Sequence, residues 1–280
     1  MKILVPTDFS EKALSALHYS LNLFKGKACA FYLVSIRESS NYISDDLLQS
    51  DAKDSLYDTL ILKNRKKLDE LVKELKSQYS GEDYSFKTIA DYNGFTAAIR
   101  QVIALEKIEL IVMGSNGSKG AKEMIFGSHS LRVIHKVPAP LLVVPRDYLY
   151  NGLENILLGL DYDQVLIPSE IEPLRKITMG AELIVEFLQM KNKDFDEVLW
   201  KDQSESLNKS FSDLKFTYQT ITGVPFVDAV SSIVQIQKPD LIVLKIEKEN
   251  FLERFFHTSN ISAIIKNTLI PVLILHPNPE

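Results

Sequence analysis

The sequence predicts an α/β fold made of two tandem open parallel-sheet domains, and three observations carry that expectation. Short apolar runs without polar interruption, such as "KILVP", "ACAFYLVSI" and "PLLVVP", alternate with amphipathic helical segments. Strands of that kind are buried on both faces, which implies a parallel sheet covered by helices on each side. The 280 residues exceed one small core and suit two domains of ordinary size. The second half of the chain also repeats the first.

In the first half, "KILVP" reads as a buried strand closed by proline. A helix follows, with Ser10 as N-cap, Leu14, Leu17, Leu21 and Phe24 at helical spacing, and Gly26 to terminate it. "ACAFYLVSI" is the second strand. A polar stretch then leads into a long amphipathic helix carrying Leu68, Leu71, Val72 and Leu75. "YSFKTIA" is the third strand, "GFTAAIRQVIALEK" a helix and "LIVM" the fourth strand. The helix "SHSLRVIHKV" and the strand "PLLVVP" complete the unit.

The repeat is direct. "ENILLGLDYD" resembles "MKILVPTDFS" and pairs Asp161 with Asp8, while "FTYQTIT" resembles "YSFKTIA". The segment from Asp240 aligns without a gap on the segment from Glu109, and Pro271 falls on Pro140 at the same offset. Such self-similarity marks a tandem duplication. The second copy is shorter, and the missing positions are expected in the loop and long helix after the second strand. "RDYLYNGLE", residues 146–154, reads as the linker between domains at 1–147 and 153–280. The terminal strands "LLVV" and "VLIL" are expected to bring the two domains together as a pseudo-dimer within the chain, and two chains to associate further as a homodimer.

Composition excludes several classes. The chain is 45% hydrophobic and 25% charged, a globular balance. A net charge of -5 gives no basic field for nucleic acid. With one cysteine, Cys29, no internal disulfide forms, and a buried small hydrophobe is the expected role of that residue. The N-terminus reaches a strand within a few residues and reads as carrying no signal peptide. No apolar run approaches the ~18 residues of a membrane span. The expectation is a cytoplasmic protein.

The segment "GSNGSKGAKEMIFGSHS", residues 114–130, carries the chemistry. Gly114 follows an apolar strand, Gly117 comes three residues on, and Gly127 with Ser128 opens a helix. Glycine lets backbone N–H groups approach an anion without a Cβ in the way. A helix N-terminus adds unpaired donors and partial positive charge. Ser128 and Ser130 add hydroxyls, and Lys119 or Lys122 can offset charge, so these parts form a phosphate cradle. The plain alternative is a set of turn glycines at a helix start. No GK[ST] closes the loop, so it is not a Walker A motif.

The spacing G-x2-G-x9-G-[ST] after a strand, with "ILVPTDFS" at the start, resembles the ATP-binding branch of the universal stress protein family. The resemblance extends over nearly the whole chain as two domains of the Rossmann-like, adenine nucleotide α-hydrolase-like type. It implies a five-stranded parallel sheet of order 3-2-1-4-5 in each. It also implies ATP, or a related adenine nucleotide, bound with Mg2+ between the ends of strands one and four. By that resemblance Pro6, Thr7 and Asp8 face the nucleoside, and Asp8 takes the ribose hydroxyls or an adenine edge. Asp8 also suits a helix-start carboxylate stabilised by the macrodipole. Ser35 falls at the adenine-side position, where the family often carries an aliphatic residue, and Met113 lies against ribose or adenine or packs in the core. Gly114, Gly117, Gly127 and Ser128 hold phosphates, with His129 contributing its backbone N–H.

The second half lacks these features. Gly114, Gly117 and Gly127 align with Lys245, Lys248 and Thr258, and Pro6 and Thr7 with Gly159 and Leu160, while Ser128 persists as Ser259. The run "KIEKEN" reads as a solvated charged loop. The functional expectation is therefore a stress-response regulator that binds nucleotide in its first domain with little or no turnover. Two alternatives stand beside it. An ATP-dependent adenylating enzyme would carry a serine- and glycine-rich loop after strand one, where this chain has "PTDFSEKA". An interaction scaffold that binds no nucleotide would lack the glycines.

Overall fold

A computed structural model describes residues 1–36, 52–91, 94–115, 133, 136–161, 164, 166–191, 197–210, 214–246 and 260–276, with backbone alone at 52–60, 210 and 267. The strands of the first half are β1 (Lys2–Pro6), β2 (Cys29–Ile36), β3 (Tyr84–Asp91), β4 (Leu110–Ser115) and β5 (Leu141–Pro145). Those of the second are β6 (Asn155–Leu160), β7 (Ile184–Met190), β8 (Lys215–Ile221), β9 (Leu241–Lys245) and β10 (Val272–Leu275). Seven helices lie among the described residues: α1 (Glu11–Leu23), α2 (Ala52–Gln78), α3 (Phe95–Glu106), α4 (Pro168–Thr178), α5 (Glu197–Ser210), α6 (Phe226–Gln237) and α7 (Asn260–Asn267). The helix expected over "SHSLRVIHKV" lies outside the described residues except at Val133 and Lys136.

All ten strands form one sheet, in the order β3-β2-β1-β4-β5-β10-β9-β6-β7-β8. Each half is parallel and reads 3-2-1-4-5 from its outer edge inward to the junction. There β5 and β10 pair antiparallel through Leu141–Ile274, Leu142–Leu273 and Val143–Val272. The pairing expected between the terminal strands is thus a continuous hydrogen-bonded sheet.

Strand alternation divides the core into two layers. Ile3, Val5, Phe31, Val112, Leu158 and Phe187 pack under α1, α2, α4 and α5. Leu4, Val34, Ile111, Met113, Leu157 and Ile242 pack under α3, α6 and α7. Cys29 is buried in the first layer, and burial pushes its thiol up.

The duplication reappears in small contacts. The Glu109 carboxylate accepts the Lys2 amide at 2.7 Å, and the aligned Asp240 accepts the Asn155 amide at 2.9 Å. Lys107 and Lys238, also aligned, end α3 and α6 with φ values of 55° and 50°. The shortening falls where expected, since α2 has 27 residues and its counterpart α5 has 14. The segment expected to link the two halves packs against the first. Tyr148 and Tyr150 meet the buried Tyr19 ring edge-on at 6.0 and 5.5 Å, and the Tyr148 hydroxyl donates to the Asp240 carbonyl at 3.3 Å.

Candidate functional site

In an open parallel sheet the crevice lies beyond the C-terminal strand ends, where the strand order reverses. Here that point falls between β1 and β4. β1 stays paired to β2 as far as Pro6–Val34, and β4 stays paired to β5 as far as Ser115–Pro145. Between β1 and β4, however, pairing stops at Leu4–Ile111, so the two strand ends part. Proline supplies a reason. The Thr7 amide donates to the Val34 carbonyl of β2 at 2.8 Å, so by alternation the residue 6 nitrogen faces β4. Pro6 has no hydrogen to donate there.

The second half makes the opposite choice. With Gly159 at the position of Pro6, β6 and β9 stay paired through Leu158–Val243 and Gly159–Leu244. The space beyond is filled from within. Lys245, aligned with Gly114, pairs with Glu170 of α4 at 2.8 Å, with their side chains 12% and 6% exposed. Gln189 follows the strand residue that pairs with Gly159, as Ser35 follows the partner of Pro6. Its amide donates to the Asp161 and Met190 carbonyls at 3.0 and 3.2 Å. Asn260 donates to the Asp161 carboxylate at 2.6 Å. The expectation of a solvated charged loop is therefore corrected at Lys245: its side chain is largely withdrawn from solvent and pairs with the buried Glu170. Lys248 and Thr258 lie outside the described residues.

In the first half, Pro6 and Thr7 are buried and Asp8 is exposed at the crevice mouth. Ser10 occupies the N-cap position of α1, yet its hydroxyl makes no cap bond. It donates instead to the Asp8 carboxylate, which also accepts the Ser10 amide at 3.0 Å. Partial burial pushes the Asp8 carboxyl up, but the two bonds from Ser10 and the charge of Lys12 together leave it below its ordinary value. Between them Phe9 takes the left-handed conformation at φ 62°, unusual for a bulky residue, with its amide held by the Thr7 hydroxyl at 3.0 Å. Sequence reasoning had no signal for Phe9, since phenylalanine is not a turn residue.

Gly114 is expected just after β4 but lies inside it, because pairing with β5 carries the strand two residues past Met113. A Cβ at Gly114 would strike the Lys12 carbonyl group, with its carbon at 2.6 Å, so this glycine lets the first turn of α1 rest on the strand. Met113 and Pro6 belong to the face under α3. Gly114, Thr7 and Ser35 belong to the face under α1 and α2, so Ser35 and Met113 sit at neighbouring strand ends but on opposite faces. Ser35 is 1% exposed, and its hydroxyl finds no hydrogen-bond partner among the described residues. Gly117, Gly127, Ser128 and His129 lie outside the described residues. Among the described residues no group of His, Cys, Asp and Glu could hold a metal ion, and no helix is long and apolar enough to cross a membrane.

The fold defines an α/β protein of the open parallel-sheet class. The universal stress protein family model matches residues 1–145. The chain belongs to the universal stress protein family. It is 27% identical over 147 residues to the universal stress protein MJ0531 of Methanocaldococcus jannaschii, covering 52% of this chain and 82% of that protein. It is 28% identical over 160 residues to MJ0577 of the same organism, covering 52% and 94%. A universal stress protein from Archaeoglobus fulgidus shares the fold across 98% of this chain and 97% of its own, with a TM-score of 0.73 at 18% identity.

Proposed function

We propose that the first half binds ATP or a related adenine nucleotide, with Mg2+, and that the protein acts as a regulatory member of its family with little or no turnover. The observation that supports this most is the contrast between halves. In the first half the β1–β4 pairing stops at Leu4–Ile111, whereas in the second half β6 and β9 stay paired two residues further and the Lys245–Glu170 pair and Gln189 lie at their ends. The unmet Ser35 hydroxyl also fits a site that expects a polar partner.

In this reading the exposed Asp8 carboxylate, held by Ser10, accepts hydroxyl or amino hydrogens of the nucleoside. Gly114, Gly117, Gly127 and Ser128 provide N–H and hydroxyl donors for phosphates, with the His129 amide beside them, and Pro6, Thr7, Ser35 and Met113 form the inner wall. The metal, when bound, neutralises phosphate charge. The same reading makes the second half a structural partner. Neither an adenylating enzyme nor a nucleotide-free scaffold has a specific observation in its favour.

Equilibrium dialysis with Mg-ATP, paired with a phosphate-release assay, tests the proposal. Wild type is expected to bind saturably with release at background, and Gly127→Val and Asp8→Ala each to weaken binding at least about tenfold, the scale of one charge-assisted contact. Binding unchanged in both variants, or rapid phosphate release, would overturn it.

A further inference from the structure

Strand register sets which positions of the two halves are spatially equivalent, and at β8 it lies two residues from the sequence match that sets "FTYQTIT" on "YSFKTIA". Lys2 pairs with Ala30 and Ala30 with Ser85, just as Asn155 pairs with Ile184 and Ile184 with Lys215. Lys2 therefore matches Asn155. Two residues further along, Tyr32 matches Glu186 and Lys87 matches Thr217. Glu106 and Gln237 match as the last residues of α3 and α6.

In the first half these four positions satisfy one another. The Lys87 ammonium lies 3.2 Å from the Glu106 carboxylate and 5.0 Å from the centre of the Tyr32 ring. The Lys2 ammonium donates to the Glu106 carbonyl at 2.8 Å. Hydrogen bonds from Tyr32 and Lys87 hold the Glu106 carboxyl below its ordinary range.

In the second half both lysines are gone, replaced by Asn155 and Thr217, and the carboxylate has moved from the helix to the strand as Glu186. The Gln237 amide donates to one oxygen of Glu186 at 2.9 Å. Among the described residues no cation lies within ion-pair distance of Glu186, including Lys215 on the same face of β8. Burial pushes its carboxyl up with no opposing charge to bring it down. Beside it opens a cavity of about 420 Å³, lined by Asn155, Ile184, Glu186, Thr217, Gln237 and Pro239. Its lining includes Asn155 and Thr217, the positions that carry lysines in the other repeat.

We propose that this cavity binds a small aliphatic amine, a primary ammonium on a short hydrocarbon stem such as a diamine, with Glu186 as its counter-ion. The ammonium takes the role that Lys87 plays in the first half. Its remaining N–H groups meet the side-chain oxygens of Asn155 and Thr217, and the stem lies along Ile184 and Pro239. This site is separate from the strand-end crevice and owes nothing to nucleotide binding.

The test is titration of 1,4-diaminobutane into the isotopically labelled full chain at low ionic strength, followed by amide chemical shifts. Saturable shifts centred on β7 and β8 are expected. The dissociation constant should rise about two- to fivefold in Glu186→Gln, the weight of one partly exposed ion pair. The response should vanish in Thr217→Lys, where an internal lysine restores the pairing of the first half. Thr217 is an exposed rim position, and thermal unfolding of both variants checks that they fold. Tetramethylammonium, which has no N–H, should bind more weakly than the diamine. Non-saturating shifts, equal affinity in Glu186→Gln, undiminished binding in Thr217→Lys or equal binding of tetramethylammonium would each overturn the proposal.

Discussion

A methyl group on Gly114 would be driven into the Lys12 carbonyl, a backbone group in the first turn of α1 that cannot swing aside. Gly114→Ala is therefore expected to lower unfolding free energy by about 1–3 kcal/mol, the range for overpacking a tight contact, as measured by urea denaturation. Stability equal to wild type would mean that α1 is free to shift. The residue thus has a packing role of its own besides the one proposed at the crevice. Its importance was legible from the spacing of the glycines, but the packing role was not, because nothing in "LIVMGS" says which helix lies above it. Ser10 gives the same lesson. Its position at the start of α1 could be read from sequence, but the competition between the helix amides and the Asp8 carboxylate for its hydroxyl could not.

At the scale of elements, the two crevices differ through their strand pairs. Pro6 leaves β1 and β4 parted, while Gly159 lets β6 and β9 continue. The filled side rests on the Lys245–Glu170 pair, in which Glu170 also accepts the Ile167 amide at the start of α4 at 3.1 Å. Lys245→Ala strands a buried carboxylate and is expected to cost about 3–5 kcal/mol in urea unfolding. Lys245→Met combined with Glu170→Gln keeps an acceptor for that amide and is expected to recover most of the loss. A single variant as stable as wild type would contradict the buried pair. Strand and helix existence was legible in the first half from apolar runs and helical stripes, and in the second through its repeat of the first. The role of Lys245 was not, since a lysine run looks solvated until the carboxylate 75 residues away is placed beside it.

At the scale of the whole molecule, β5 and β10 join the halves into one sheet, and side chains tie the join on one face. The Lys176 ammonium of α4 reaches the Glu109 carboxylate at 2.8 Å, and the Lys27 ammonium donates to the Ile177 carbonyl at 2.7 Å. Partial burial pushes the Glu109 carboxyl up, but the bonds from Lys176 and the Lys2 amide outweigh it and leave it below its ordinary 4.5. A carboxyl depressed on folding contributes stability above its unfolded value and loses it as pH falls through the folded one. Glu109→Gln should therefore flatten the loss of thermal stability below about pH 4.5, and an unchanged acid limb would remove this link. The duplication made the intramolecular pairing legible, whereas the merging of two sheets into ten continuous strands follows from the antiparallel meeting of two edges that sequence does not orient. Because that edge is used within the chain, association of two chains would need another surface. The most direct measurement is calorimetric titration of Mg-ATP into the full chain. One site per chain, abolished by Gly127→Val, is the predicted result; two sites, or none, would contradict an open crevice in the first half and a filled one in the second.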